Sequence, residues 1–139
     1  MVQSGINHSR VIPIESQSDV VVARQSGRAL ARIMGFGTAQ QTRLATAISE
    51  LVRNALIYAG GGSCYIDDAS DAMNIRIRVR IEDSGPGIAD IDLALTGGYS
   101  SAGSLGAGLP GSRRLVQNFL IESGPQGTNI SIEISRIRG

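Results

Sequence analysis

Between Ile75 and Ile81 the chain reads Ile-Arg-Ile-Arg-Val-Arg-Ile, an unbroken alternation of β-branched apolar residues with arginine. A period of two places Ile75, Ile77, Val79 and Ile81 on one face of a strand and Arg76, Arg78 and Arg80 on the other. One face needs a covering layer and the other can stay in water. The rest of the chain has to supply that layer.

Arg10–Glu15 alternates weakly and predicts a first strand. A helix is expected from Asp19 to about Met34, with Ser18 as N-cap, Val22, Leu30 and Ile33 in its buried stripe, and Gly35 as its stop. Gly37-Thr38 opens a second helix, Ala39 to about Ala59, ended by Gly60-Gly61-Gly62. Cys64–Asp67 reads as a short strand and Asp67–Asp71 as a polar turn. After the alternating strand comes a glycine-rich stretch, Ser84–Gly111, with at most a short helix near Ile91. Pro110 suits the first turn of a third helix reaching about Asn118. Phe119–Glu122, the turn Gly124-Pro125-Gln126-Gly127 and Asn129–Ile137 form a closing hairpin, with Ile130, Ile132, Ile134 and Ile137 on its apolar side. This order predicts an α+β fold, a two-layer sandwich of a mixed, mostly antiparallel β-sheet with helices on one face. One domain over residues 1–139 is expected, with residues 1–9 as a flexible tail.

Composition removes several function classes. All 13 basic residues are arginine. Without lysine there is no Walker A phosphate loop and no strand lysine of the eukaryotic protein-kinase type. A net charge of +1 gives no reason to expect nucleic-acid or anionic-membrane binding. The one cysteine, Cys64, can form neither an internal disulfide nor a cysteine metal cluster. No apolar run is long enough to span a membrane, and the N-terminal stretch lacks a signal peptide's apolar segment. A cytoplasmic location follows as the expectation. His8 and Cys64 read as structurally neutral.

Four local patterns carry chemistry. On the second helix Leu44, Ile48, Leu51 and Ala55 form the core stripe, and Glu50 and Asn54, one turn apart, fall on its flank. A carboxylate and an amide there can face a cavity, although a solvated Glu with a tolerated Asn fits the same spacing. Asp83-Ser84-Gly85-Pro86-Gly87 ends the alternating strand in a tight turn whose backbone can lie against a flat ligand. Its carboxylate can accept a hydrogen bond from an amino group such as that of adenine. The segment from Gly97 to Leu109 holds glycines just before a helix start, where backbone N–H groups suit a phosphate chain. It reads as a lid, with Ile91–Leu105 ordering when nucleotide binds. Gly127-Thr128 alone is only a turn.

In this order the four patterns resemble the N, G1, G2 and G3 boxes of the GHKL (Bergerat-type) ATPases, a likeness running from about residue 18 to the end. Within them the segments Val22-Ala23-Arg24-Gln25, Gly35-Phe36-Gly37-Thr38, Ala47 to Asn54, Tyr58-Ala59-Gly60, Glu82 to Ile88 and Gly103 to Gly111 resemble the stressosome switch serine/threonine-protein kinases. Pro110 departs from the stricter pattern, and stiffening of the lid's exit is expected from it. The resemblance implies ATP and Mg²⁺ as cofactors. It implies that Asp83 binds the adenine amino group, with Gly85 and Gly87 against the base and Thr128 supporting the pocket. Asn54 would ligate Mg²⁺. Gly106, Ala107, Gly108 and Leu109 would offer backbone N–H groups to the phosphates, and Glu50 would be the general base. Arg53, Arg113 and Arg114 are open to phosphate or acidic partners and equally to solvent. The implied substrates are STAS-domain stressosome proteins. On release the kinase would activate a PP2C-type phosphatase in a sigma-factor partner-switching pathway. An anti-sigma factor kinase holding a sigma factor directly, and a nucleotide-binding interaction module without turnover, are the alternatives.

Overall fold

The structure is a computed structural model that describes residues 9–85 and 111–138. Its elements in chain order are β1 (Ser9–Ile14), α1 (Gln17–Ile33), α2 (Thr38–Ala59), β2 (Gly62–Asp68), β3 (Asn74–Asp83), β4 (Asn118–Gly124) and β5 (Gly127–Ile137). Residues 111–115 are helical. That segment ends earlier than expected, because Asn118 already pairs with Glu133 as the first residue of β4.

The five strands form one sheet in the order β1-β2-β3-β5-β4, and every neighbouring pair is antiparallel. The alternation in β3 sets the architecture as expected. Ile77, Val79 and Ile81 are buried, and across the register they meet Ile134, Ile132 and Ile130 of β5. Ile12 and Ile14 of β1 and Cys64 and Ile66 of β2 extend the same apolar face. α1 and α2 cover it with Val20, Ala23, Leu30, Leu44, Ile48, Leu51 and Val52, among others. The opposite face carries the β3 arginines, which are paired there. Arg78 donates to Glu133 at 2.7 Å and Arg80 to Glu82 at 2.9 Å.

Several sequence expectations shift. α1 starts at Gln17 with Ser16 as N-cap, not Ser18. The Asp19 carboxylate accepts from the backbone N–H of Glu15 at 2.8 Å and of Ser16 at 3.0 Å, which fixes the start two residues earlier. Val22 and Ile33 are exposed, and the buried stripe is Val20, Ala23, Gly27, Leu30 and Ala31. Ile137 is exposed too, since it is out of phase with Ile130, Ile132 and Ile134. The expected tail lacks Ser9, which is in β1, and residues 1–8 lie outside the described residues. The expected short helix near Ile91 and the lid from Gly97 to Leu109 lie outside them too. No helix among the described residues is long and apolar enough to cross a membrane.

Candidate functional site

The strand ends and helix ends meet at one pole of the sandwich. α2 stops at Gly60, which takes the left-handed conformation with φ of 76°. The chain turns at once into β2, whose Gly62 pairs with Ile14 of β1. Its next residue, Ser63, pairs with Glu82 of β3. Asp83 is the last residue of β3 and pairs with Thr128 near the start of β5. It points to the helix-covered side, in phase with Ile81.

The Asp83 carboxylate is held by backbone groups. Its Oδ1 accepts from the N–H of Gly85 at 2.9 Å and of Thr128 at 3.3 Å. Among the described residues no hydrogen bond reaches Oδ2. Thr128 is 7% exposed, and its hydroxyl shares a 2.8 Å hydrogen bond with Ser123 of β4. Three adjacent strands thus fix this corner. Two glycines make it possible. A Cβ on Gly127, whose φ is 146°, would fall 2.0 Å from the Asp83 carbonyl oxygen. A Cβ on Gly85 would fall 2.6 Å from the Ala59 Cβ, so the exit of β3 runs directly across the last turn of α2. A cavity of about 500 Å³ opens beside this corner, with Glu82, Asp83, Glu122, Ser123 and Thr128 on its wall.

α2 supplies the second half. Asn54 is 6% exposed, and neither its Oδ1 nor its Nδ2 has a hydrogen-bond partner among the described residues. It therefore sits deeper than the rim position expected from spacing. An unpartnered buried amide costs roughly 1–3 kcal/mol, so its retention needs a reason. Glu50, one turn earlier, stays at the rim with its side chain about one-third exposed, and its Oε1 accepts from Arg53 Nη1 at 3.2 Å. Arg53 is thus paired with a carboxylate inside the chain. Neither Glu50 nor Asn54 borders the cavity beside Asp83. The link between the halves is Ala59, which contacts the Gly85 position and lies roughly 8 Å along the helix axis from Asn54.

No group of three or more His, Cys, Asp or Glu among the described residues could hold a metal. An ion bound here would take its oxygens mainly from phosphate and water, with the Asn54 amide oxygen as protein ligand. That division suits Mg²⁺, which keeps much of its water and shares phosphate oxygens. Gly87, Gly106, Ala107, Gly108 and Leu109 lie outside the described residues. Arg113 and Arg114 are exposed. Sequence reasoning missed Ser123. The two-residue turn Pro125-Gln126 would have given it away, because it sets Ser123 opposite Thr128.

Comparison with known proteins bears on the same region. The family described as histidine kinase-, DNA gyrase B-, and HSP90-like ATPase matches residues 39–137. The chain is 44% identical over 126 residues to the serine/threonine-protein kinase RsbT of Bacillus subtilis (strain 168), covering 90% of this chain and 95% of that protein. The crystal structure of the RsbU and RsbW domains of Rv1364c from Mycobacterium tuberculosis is similar with a TM-score of 0.64 at 19% identity, over 94% of this chain and 33% of that one. At that identity the likeness speaks for the fold alone.

Proposed function

Because the chain belongs to the family of histidine kinase-, DNA gyrase B- and HSP90-like ATPases, we propose that it is a serine/threonine protein kinase that moves the γ-phosphoryl group of ATP to a hydroxyl of a partner protein. Identity of 44% to a serine/threonine-protein kinase along nearly the whole of both chains supports the reaction class. The observation that carries the site is Asn54, a buried amide without partners among the described residues, one helical turn from a carboxylate about one-third exposed.

In this reading Asp83 Oδ2, the oxygen with no backbone partner, accepts from the adenine amino group. Oδ1 stays tied to Gly85 and Thr128, so the acceptor is fixed before the base arrives. Gly85 lets the backbone approach the base, and Gly87 does the same. Gly106, Ala107, Gly108 and Leu109 offer backbone N–H groups to the phosphates. The Asn54 amide oxygen would hold Mg²⁺, which when bound would offset the negative charge of the phosphates. Glu50 accepts the proton of the incoming hydroxyl as that oxygen bonds to the γ-phosphorus and the bond to the β–γ bridging oxygen breaks, releasing ADP. Arg53 restrains the Glu50 carboxylate through their ion pair.

The partners in this reading are STAS-domain stressosome proteins as substrates and, after release, a PP2C-type phosphatase that the kinase activates. The location is the cytoplasm. The test mixes the purified chain, γ-labelled ATP with Mg²⁺, and a STAS-domain protein from the same cell. Label on a serine or threonine of that protein is expected, with none when Asp83→Asn replaces the wild type. Phosphate release with no transfer, or label on a histidine, contradicts the proposal.

A further inference from the structure

The arginines on β3, at the end of β5 and on the last turns of α2 have partners, whereas Arg10, Arg43, Arg113 and Arg114 are exposed and have none among the described residues. Arg76, Arg78 and Arg80 pair with Asp71, Glu133 and Glu82, and Arg53 pairs with Glu50. Arg136 and Arg138 donate to the carbonyls of Met34 and Asp71. On α1 the unpartnered arginines come as an aligned row. Arg24, Arg28 and Arg32 recur every four residues and make no ion pair or hydrogen bond with any described residue. Each is displaced by about 40° from the last, so they run as one stripe roughly 12 Å long. Arg28 and Arg32 are fully on the surface, and Arg24 is half-buried.

Nothing in the helix compensates this charge. Positions three and four away from each arginine hold Val20, Val21, Gln25, Gly27, Ala29, Ala31, Gly35 and Phe36, or another arginine of the stripe. Like charges four apart repel and destabilise a helix. The acidic residue of α1, Asp19, is engaged at the N-terminal cap. At the head of the stripe stands Val21, an apolar side chain 39% exposed and on the same flank. The stripe also has a direction. α1 begins three residues after Ile14, which pairs with Gly62 at the pole that carries Asp83 and Thr128, so within the stripe Val21 is nearest the nucleotide pole, Arg24 is mid-helix and Arg32 is farthest from it.

We propose that Val21, Arg24, Arg28 and Arg32 form the docking surface for an acidic face of the phospho-acceptor protein. The surface itself does not depend on the kinase reading, but naming its partner as the acceptor does. Charge complementarity selects carboxylates. Val21 supplies an apolar anchor that favours a protein face over a phosphate backbone. A chain of net charge +1 has no long-range field to hold nucleic acid or an anionic membrane. An acceptor lying along α1 from the nucleotide pole brings its hydroxyl to the end of the molecule where transfer takes place.

The test uses Arg28→Glu, with Arg10→Glu as control; Arg10 is an exposed arginine on β1 with no partner among the described residues. The probe is a synthetic helical peptide with glutamates at three successive four-residue steps and a leucine three residues before the first. Wild type is expected to bind it with an affinity that falls as salt rises, Arg28→Glu at least tenfold more weakly, and Arg10→Glu within twofold of wild type. Arg28→Glu places a carboxylate between Arg24 and Arg32, so its melting temperature should be equal or higher, which separates lost docking from lost folding. In transfer assays with the STAS-domain protein, KM should rise at least tenfold at unchanged ATP affinity. Peptide binding that is absent, or equal in wild type and Arg28→Glu, overturns the proposal, as does displacement of the peptide by a lower concentration of 20-base-pair DNA. Peptide binding lost in Arg28→Glu, with no transfer to the STAS-domain protein by wild type, upholds the surface and refutes the choice of substrate instead.

Discussion

Asn54→Leu separates stability from function at one position. Leucine has the same branched heavy-atom outline as asparagine but no polar ends. Both ends of the Asn54 amide are buried without partners among the described residues, and such groups cost about 1–3 kcal/mol. Leucine is also the better helix former, by a few tenths of a kcal/mol. The nucleotide-free variant should therefore be more stable by about 1–3 kcal/mol, a rise of roughly 4–12 °C in melting temperature for a chain of this size. With Mg²⁺-ATP the gap closes or reverses. Ligand at a hundredfold above its Kd stabilises wild type by about 2.7 kcal/mol, and the variant should gain almost none of this. Thermal melts of both proteins, with and without Mg²⁺-ATP, give all four values. A variant that melts below wild type without nucleotide, or that keeps the full Mg²⁺-ATP shift, refutes the assignment of Asn54 as an unpartnered group held for a ligand.

Two further outcomes are expected. Asp83→Asn can keep its amide oxygen on the N–H groups of Gly85 and Thr128, so folding should suffer by only about 1 kcal/mol. The other end becomes a donor facing the adenine amino group, and calorimetry should show ATP affinity lowered by about 10²–10³. Burial, with help from the Asp67 charge, pushes the Cys64 thiol up to about 12. Iodoacetamide at pH 8.5 should therefore label Cys64 only as fast as the protein unfolds. A raised folded-state pKa also means that this group's contribution to stability is complete below about pH 9 and is lost as pH climbs towards 12, which urea melts across that range would register.

The sheet was legible because its signal is strictly local. The run from Ile75 to Ile81 dictates its faces through a period of two, and the run from Ile130 to Ile134 does the same. Glycines and proline mark the hairpin between β4 and β5. Errors arose where a tertiary or capping contact outweighs pattern. Ser16 and Ser18 are equal candidates for the α1 cap by residue type, and the Asp19 side chain, three residues after Ser16, decides between them. Val22 fits an apolar stripe by hydropathy, yet the face of α1 that meets α2 and β1 is set by Val20, Ala23 and Leu30. At the site, spacing brought Glu50 and Asn54 to the same side of α2 but could not say that one stays at the surface while the other is buried. That distinction depends on the depth to which α2 sinks onto β3, a property of the whole core. The contact between Gly85 and Ala59, which joins the two halves of the site, is a long-range approach with no counterpart in local sequence.

Glu50→Gln tests the chemistry itself. Glutamine keeps the length and one acceptor oxygen of the side chain and removes its capacity to take a proton, and loss of a positioned general base costs about 10²–10⁴ in rate. The measurement is single-turnover phosphorylation of the STAS-domain protein at saturating Mg²⁺-ATP, with ATP binding titrated beside it. Transfer slowed at least about a hundredfold, with ATP affinity within a few-fold of wild type, is the expected result. Transfer at the wild-type rate would leave Glu50 as a solvated helix carboxylate paired with Arg53 and contradict its role as the base.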